Sequence, residues 1–285
     1  MFRRTAIALL VLAVAVGGAV WGYQRFYGGR VPFLSDTCRA FANGGAVRLD
    51  PDQMGHAATI TAVGIRRQMP ERAVVVALAT ALQESKLRNL SGGDRDSIGL
   101  FQQRPSQGWG TPEQLNDPRY AAGEFYTHLL RISGWQDMRV TDAAQAVQHS
   151  GHPELYQQWA DDADTLAKAF MGASTGAVTC RLRQQTARSG GEGVPQLVSE
   201  LSQDMGKLSV TQRPSGQSPG MTVAVGGGSS STLGWRAAHW FVAKSHEYGI
   251  RSVSYDGTVW TAESGKWSKG GKTPSSRVEV GIPKV

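Results

Sequence analysis

The sequence predicts a mostly α-helical domain, preceded by one transmembrane helix and followed by a small α+β domain. Three observations carry this: an uncharged apolar run near the N-terminus, helical spacing of apolar residues through the middle, and a change of composition near residue 186. At 285 residues with 40% hydrophobic content, the chain can hold one sizeable core and a smaller unit. The expected boundaries are 1–37 for the anchor and stalk, 38–180 for the helical domain, and 181–285 for a linker and the C-terminal α+β domain.

Arg3 and Arg4 precede Thr5 to Tyr23, a run without a charged side chain. At about 1.5 Å per residue, a helix of that length spans about 28 Å, close to the hydrocarbon thickness of a bilayer. Trp21 and Tyr23 suit the aromatic belt of a membrane interface. A cleaved signal peptide is the other reading, with Gly17-Gly18-Ala19 as a poor small-x-small site. The first reading gives a single-pass cell-membrane protein whose bulk is extracellular; the second gives a secreted one.

Past a short stalk at 24–37, a helix is expected between Leu49 and Gln68, capped by Asp50 or Asp52. The next spans about 71–86. There Ala73, Val74, Ala77, Leu78, Ala81 and Leu82 recur at three- and four-residue steps, and Pro70 and Glu71 suit a first turn. Residues 87–118 are rich in Gly, Asp, Pro and Asn, a loop whose length in a compact domain usually serves function. Asn116-Asp117-Pro118 opens a helix carrying Ala121, Phe125, Leu129 and Ile132. Another begins near Thr141, whose side chain can cap it, and carries Ala143, Ala144 and Val147. A last one is expected from Pro153 to Phe170, burying Leu155, Trp159, Ala163, Leu166 and Phe170. No strand pattern stands out between 38 and 180.

Beyond Thr186, Pro195 to Met205 reads as an amphipathic helix, Met221 to Val225 as a strand and Gly226 to Ser231 as a flexible linker. Trp235 to Tyr248 is helical in pattern. Ile250 to Tyr255 alternates like a half-buried strand, Asp256-Gly257 signals a hairpin into Thr258-Val259-Trp260, and Arg277 to Ile282 suits a further strand. The expectation is a basic module on a flexible tether.

Basic side chains outnumber acidic ones 13 to 7 in residues 181–285, whereas residues 38–180 are slightly acidic. A basic exported tail suits anionic wall polymers or lipid headgroups, and a merely solvated surface is the plainer reading. No basic-aromatic interleaving supports a nucleic-acid partner. The two cysteines, Cys38 and Cys180, bracket the helical domain. In an oxidising compartment such a pair reads as a disulfide, with two unrelated buried thiols as the alternative. Two cysteines without a nearby histidine pair make no zinc site, and no cofactor is implied.

Glu84 follows the last apolar pair of the 71–86 helix by two residues, so its carboxyl emerges from a buried helix end. A carboxyl half set in an apolar wall is destabilised when ionised, as a general acid working near neutral pH requires. Ser85 follows it, and Gly99-Leu100-Phe101-Gln102 comes fourteen residues later. These two motifs together resemble the core of the lytic transglycosylases and goose-type lysozymes, a likeness covering about residues 70–170. The resemblance implies a lysozyme-like domain that cleaves the bond between N-acetylmuramic acid and N-acetylglucosamine in peptidoglycan glycan strands. It places the general acid/base on Glu84 and substrate contacts on Ser85, Gly99, Leu100, Phe101 and Gln102.

The family's third motif, Tyr-Asn or a close variant on a later helix, is not matched. Val147-Gln148-His149-Ser150-Gly151 stands in its place, leaving Gln148 or His149 to supply the polar contact. Asp94 and Asp96 are candidates for the second carboxylate of an inverting hydrolase, or turn caps. Trp109, Tyr120 and Tyr126 are candidates for stacking on sugar, or core aromatics. The C-terminal unit resembles modules attached to actinobacterial wall proteins. The implied activity is that of a lytic transglycosylase, whose 1,6-anhydro products need no second carboxylate, or of a lysozyme-type glycosidase. The alternative is a non-catalytic wall-binding or scaffold protein with a decayed lysozyme-like domain. A C-terminal peptidase using His239 or His246 lacks a Cys nucleophile and a His-Asp metal cluster.

Overall fold

The structure, a computed structural model, describes residues 36–183, 193–213, 220–226 and 231–282. Among them no helix is long and apolar enough to cross a membrane. The transmembrane segment expected at Thr5–Tyr23 lies outside the described residues, as does most of the expected Gly/Ser linker.

The expectation of a mostly α-helical domain with a helical lysozyme-like core is corrected by two antiparallel sheets, of three and six strands. The smaller one lies where no strand was expected. Its strands are β1 (Thr37–Ala42), β2 (Gly45–Leu49) and β3 (Val178–Arg181), in the order β2-β1-β3. Cys38, Ala40, Ala42, Val47 and Leu49 point inward, and Arg39, Phe41 and Arg48 face water. The turn is Asn43-Gly44, with φ of 49° and 79°, and Ala42 pairs with Gly45 across it. Two successive left-handed residues match the twist of a two-residue hairpin, which Asn-Gly accommodates with little strain. Cys38 pairs directly with Cys180 across β1 and β3, and the two are disulfide-bonded with their Cα atoms 3.9 Å apart.

Around this sheet the helices follow the sequence pattern closely. Helix α1 (Pro51–Arg66) starts at a capping box in which Asp50 Oδ1 accepts from Gln53 N and Gln53 Oε1 accepts from Asp50 N. Helix α2 (Glu71–Ser85) is buried from Ala73 to Leu82 without interruption and packs against α1, α4, α5 and α6. Its alanines keep the barrel of the helix thin, so neighbours can surround it. The loop that follows holds a short α3 (Pro112–Leu115), and α4 (Pro118–Leu129) is capped by Asp117, whose carboxylate accepts from Arg119 N. Helix α5 (Val140–Gln148) begins one residue before Thr141, which is no cap; its hydroxyl donates to Pro153 O. The single helix expected from 153 to 170 is divided into a 3-10 segment, Pro153–Trp159, and α6 (Ala160–Phe170). The tighter winding turns Tyr156 inward and leaves Leu155 42% exposed.

The larger sheet contains β4 (Ser209–Gln212), β5 (Gly220–Ala224), β6 (Ser252–Tyr255), β7 (Thr258–Thr261), β8 (Lys266–Lys269) and β9 (Arg277–Gly281), in the order β4-β5-β9-β6-β7-β8. Helices α7 (Gly193–Met205), α8 (Ser231–Ala243) and α9 (Ser245–Tyr248) accompany it. Residues 37–285 form one compact unit. Helix α8 packs on β6 and β9 and also on β3, α1 and α6. Trp267 Nε1 donates to Val178 O at 2.8 Å, and Leu182 N donates to Ala262 O at 2.8 Å. Arg119 of α4 reaches Asp204 of α7 at 2.7 Å, where the Trp240 indole also donates to the carboxylate.

Candidate active site

Helix α2 carries Glu84 as its penultimate residue, half-buried, at the point where the apolar face gives out. Its Oε1 accepts a hydrogen bond of 2.6 Å from the Tyr156 hydroxyl. Tyr156 is wholly buried, delivered by the 3-10 segment that packs on α2. Burial first, and the charge of Glu84 second, hold its phenol well above the ordinary tyrosine range, so it stays a proton donor. The sequence offers Leu155 and Trp159 as the inward residues of a regular helix. Only a break in that helix reveals Tyr156.

Ser85 ties the helix end to the second motif: its hydroxyl lies 2.8 Å from Leu100 O and 3.1 Å from Ala81 O. Gln148 makes the matching tie from α5, its side-chain amide donating to Phe101 O at 2.7 Å. Leu100 and Phe101 are wholly buried, and the Phe101 ring stacks on Phe125 at 4.9 Å. Gly99 has φ of 79°, and a Cβ there would lie 2.3 Å from Leu115 O, so the turn requires glycine. Gln102 is half-buried and donates to Gly99 O at 3.1 Å. Glu84, Ser85, the 99–102 turn and Gln148 are thus brought together. Ser85, Leu100, Phe101 and Gln148 fix the frame behind the acid, with their side chains engaged by protein.

Other candidates are placed elsewhere. Asp96 is committed to the loop: Arg104 Nε at 2.7 Å and Ser106 N at 2.8 Å both donate to it. The backbone donor, with Arg104 second, holds its carboxyl far below the usual range. Asp94 is almost fully exposed beside Arg95. Tyr126 is core, its hydroxyl donating to Ile60 O at 3.1 Å. Trp109 is half-buried against His128, with ring centroids 3.9 Å apart. Tyr120 donates to Trp109 O at 3.2 Å. His149 closes α5 in a left-handed conformation and is exposed. His239 is wholly buried, accepting from Ala177 N and facing Ala169 O, which places its proton on Nδ1. Such an imidazole is a structural group, closed to a peptidase substrate.

Beside Glu84, Gln83 Oε1 accepts from Trp159 Nε1 at 2.8 Å and from Gln158 Nε2 at 3.1 Å, and the Lys86 ammonium sits over the Trp159 ring. A cavity of about 800 Å³ at the seam is lined by residues including His56, Arg88, Lys244 and Glu247, but not by Glu84. Among the described residues no group of three His, Cys, Asp or Glu side chains is placed to hold a metal ion. No protein-family model and no curated protein matches this chain.

Proposed function

We propose that the chain is a peptidoglycan-cleaving muramidase acting on the glycosidic bond between N-acetylmuramic acid and N-acetylglucosamine, as a lytic transglycosylase forming 1,6-anhydro products. The observation that supports this most is the Tyr156–Glu84 hydrogen bond at the end of a buried helix. The phenol occupies Oε1, so the proton for the leaving glycosidic oxygen is carried on the other oxygen of Glu84. As that proton leaves, negative charge develops on the carboxylate and the Tyr156 bond strengthens. Glu84 then accepts the proton of the muramyl 6-hydroxyl as that oxygen closes on the anomeric carbon. One carboxylate serves both steps, which suits a site where Asp96 is held by Arg104 and Asp94 lies in solvent.

The unmatched third motif and the additional C-terminal module are what favour a non-catalytic scaffold. Tyr156 gives the acid the phenolic partner which that motif omits, so the enzyme reading is preferred. Membrane attachment and wall-polymer partners belong to the same proposal: an exported enzyme working on glycan strands near the cell surface. The test is muropeptide release from purified sacculi with product analysis. Glu84→Gln removes the proton and keeps the shape, so activity should fall by about 10²–10⁴-fold with the fold intact. Wild-type activity in that variant would remove Glu84 from the mechanism. A comparable loss in Asp94→Asn, with reducing-end products lacking the anhydro ring, would indicate an inverting hydrolase instead.

A further inference from the structure

Lys86 follows the Glu84-Ser85 pair and closes α2 in a left-handed conformation with φ of 55°. Helix ends of this kind are ordinarily closed by glycine or asparagine, so backbone preference does not account for a lysine here. The helix dipole favours a cation at this end, but an amine pointing freely into water would satisfy it equally. Instead the Lys86 ammonium is seated over the Trp159 ring, 4.2 Å from its centroid. The ring is itself fixed by the indole bond to Gln83, the neighbour of Glu84 on the other side. The Lys86 backbone oxygen accepts from Gln53 Nε2 at 2.7 Å, so the helix end beneath is anchored as well.

Among the described residues no carboxylate forms an ion pair with Lys86, although its ammonium feels the charge of nearby Glu84. Lys86 is nonetheless exposed to solvent. It is a positioned cation beside the acid, with part of its freedom already lost to the ring, and so costs less to order when an anion arrives.

Each muramyl unit offers such an anion. A strand stripped of peptide carries the free carboxylate of the lactyl group, and an intact strand carries carboxylates on its stem peptide. Resting on the muramidase reading above, we infer that Lys86, seated on Trp159, binds a carboxylate of the muramyl residue beside the scissile bond and selects strands that present one there.

The test uses the full-length protein and soluble glycan oligomers in three forms: peptide-bearing, peptide-free with a lactyl carboxylate, and peptide-free with that carboxylate amidated. Lys86→Met keeps an unbranched stem on the indole and removes the charge; Lys86→Arg keeps the charge. The Met variant should lose about three- to tenfold in kcat/KM, through KM, on the preferred carboxylate-bearing form. The amidated form should change by less than about twofold, and the Arg variant should recover most of the loss. Loss confined to peptide-bearing oligomers assigns the stem-peptide carboxylate, and loss confined to peptide-free oligomers assigns the lactyl one. An equal effect on all three forms, or none on any, overturns the inference. Calorimetric binding of the same oligomers to Glu84→Gln protein, with and without Lys86→Met, separates the two claims. Carboxylate-dependent binding without cleavage by the wild type would sink the muramidase reading alone. Binding that ignores Lys86, or none at all, would sink the inference.

Discussion

The Tyr156 hydroxyl donates to Oε1 of Glu84, so on the proposed muramidase reading it is the other oxygen that meets the substrate. Tyr156→Phe keeps the ring in its buried slot and deletes only the donor. A hydrogen bond to a charged group contributes about 1.5–3 kcal/mol, so kcat for muropeptide release should fall about tenfold to a hundredfold with KM little changed. An unchanged kcat would show that the bond is structural. The position of Glu84 at the end of a buried helix, beside the 99–102 turn, was legible in the sequence, because the apolar period of α2 and the 99–102 motif are each continuous in the chain. Tyr156 was not. Its neighbours Leu155 and Trp159 fit a regular helical face, and only the tighter winding of 153–159, on a segment that packs against α2, brings residue 156 inward. Spacing alone could also not tell that Leu100, Phe101 and Gln148 turn their side chains into the protein.

Short elements built of small residues were the ones the sequence concealed. In β1 the inward positions are Cys38, Ala40 and Ala42, which give almost no alternating hydrophobic contrast, so the Asn43-Gly44 turn between β1 and β2 had no recognisable strands beside it and was passed over. Asp256-Gly257, the same kind of turn, was recognised because Tyr255, Val259 and Trp260 flank it with large residues. Helix α8 carries a further consequence of burial. Burial lowers the pKa of His239 from its ordinary 6.5 to about 4, against the opposing pull of Ala169 O. The unfolded chain therefore binds a proton between those values and the folded chain does not. Stability from this group is complete above about pH 6.5 and is lost as pH falls towards 4, by about 3 kcal/mol at the limit. His56, lowered first by its own burial, adds in the same direction. The His239 imidazole resonances should remain those of the neutral Nδ1–H tautomer down to about pH 4. Titration of that ring near 6.5 in the folded protein would refute the assignment.

At the scale of the whole molecule, composition suggested a basic module on a tether, and packing gives a different result. Composition registers a linker but carries no information about which faces meet. The two halves meet through buried groups that each supply what the other lacks. His239 of α8 accepts from Ala177 N, Trp267 of β8 donates to Val178 O, and β3, the strand disulfide-bonded to β1, packs against both α8 and β8. The Asp204 carboxyl is wholly buried, pushed up by desolvation against the pull of Arg119 and Lys244, and it holds Arg119 of α4 at 2.7 Å. Asp204→Asn removes one of the two carboxylates that hold Arg119, Glu200 at 3.2 Å being the other, so it should cost about 2 kcal/mol in denaturant unfolding. Truncation after residue 185 removes every one of these partners at once, while the folded chain as a whole is stabilised by only about 5–15 kcal/mol. The shortened protein should therefore lose cooperative thermal melting, and with it cleavage even of short soluble glycan, since the frame behind Glu84 would no longer be held. If residues 31–185 instead melt as sharply as the full chain and keep activity on short oligomers, the seam is a docking contact between independent domains.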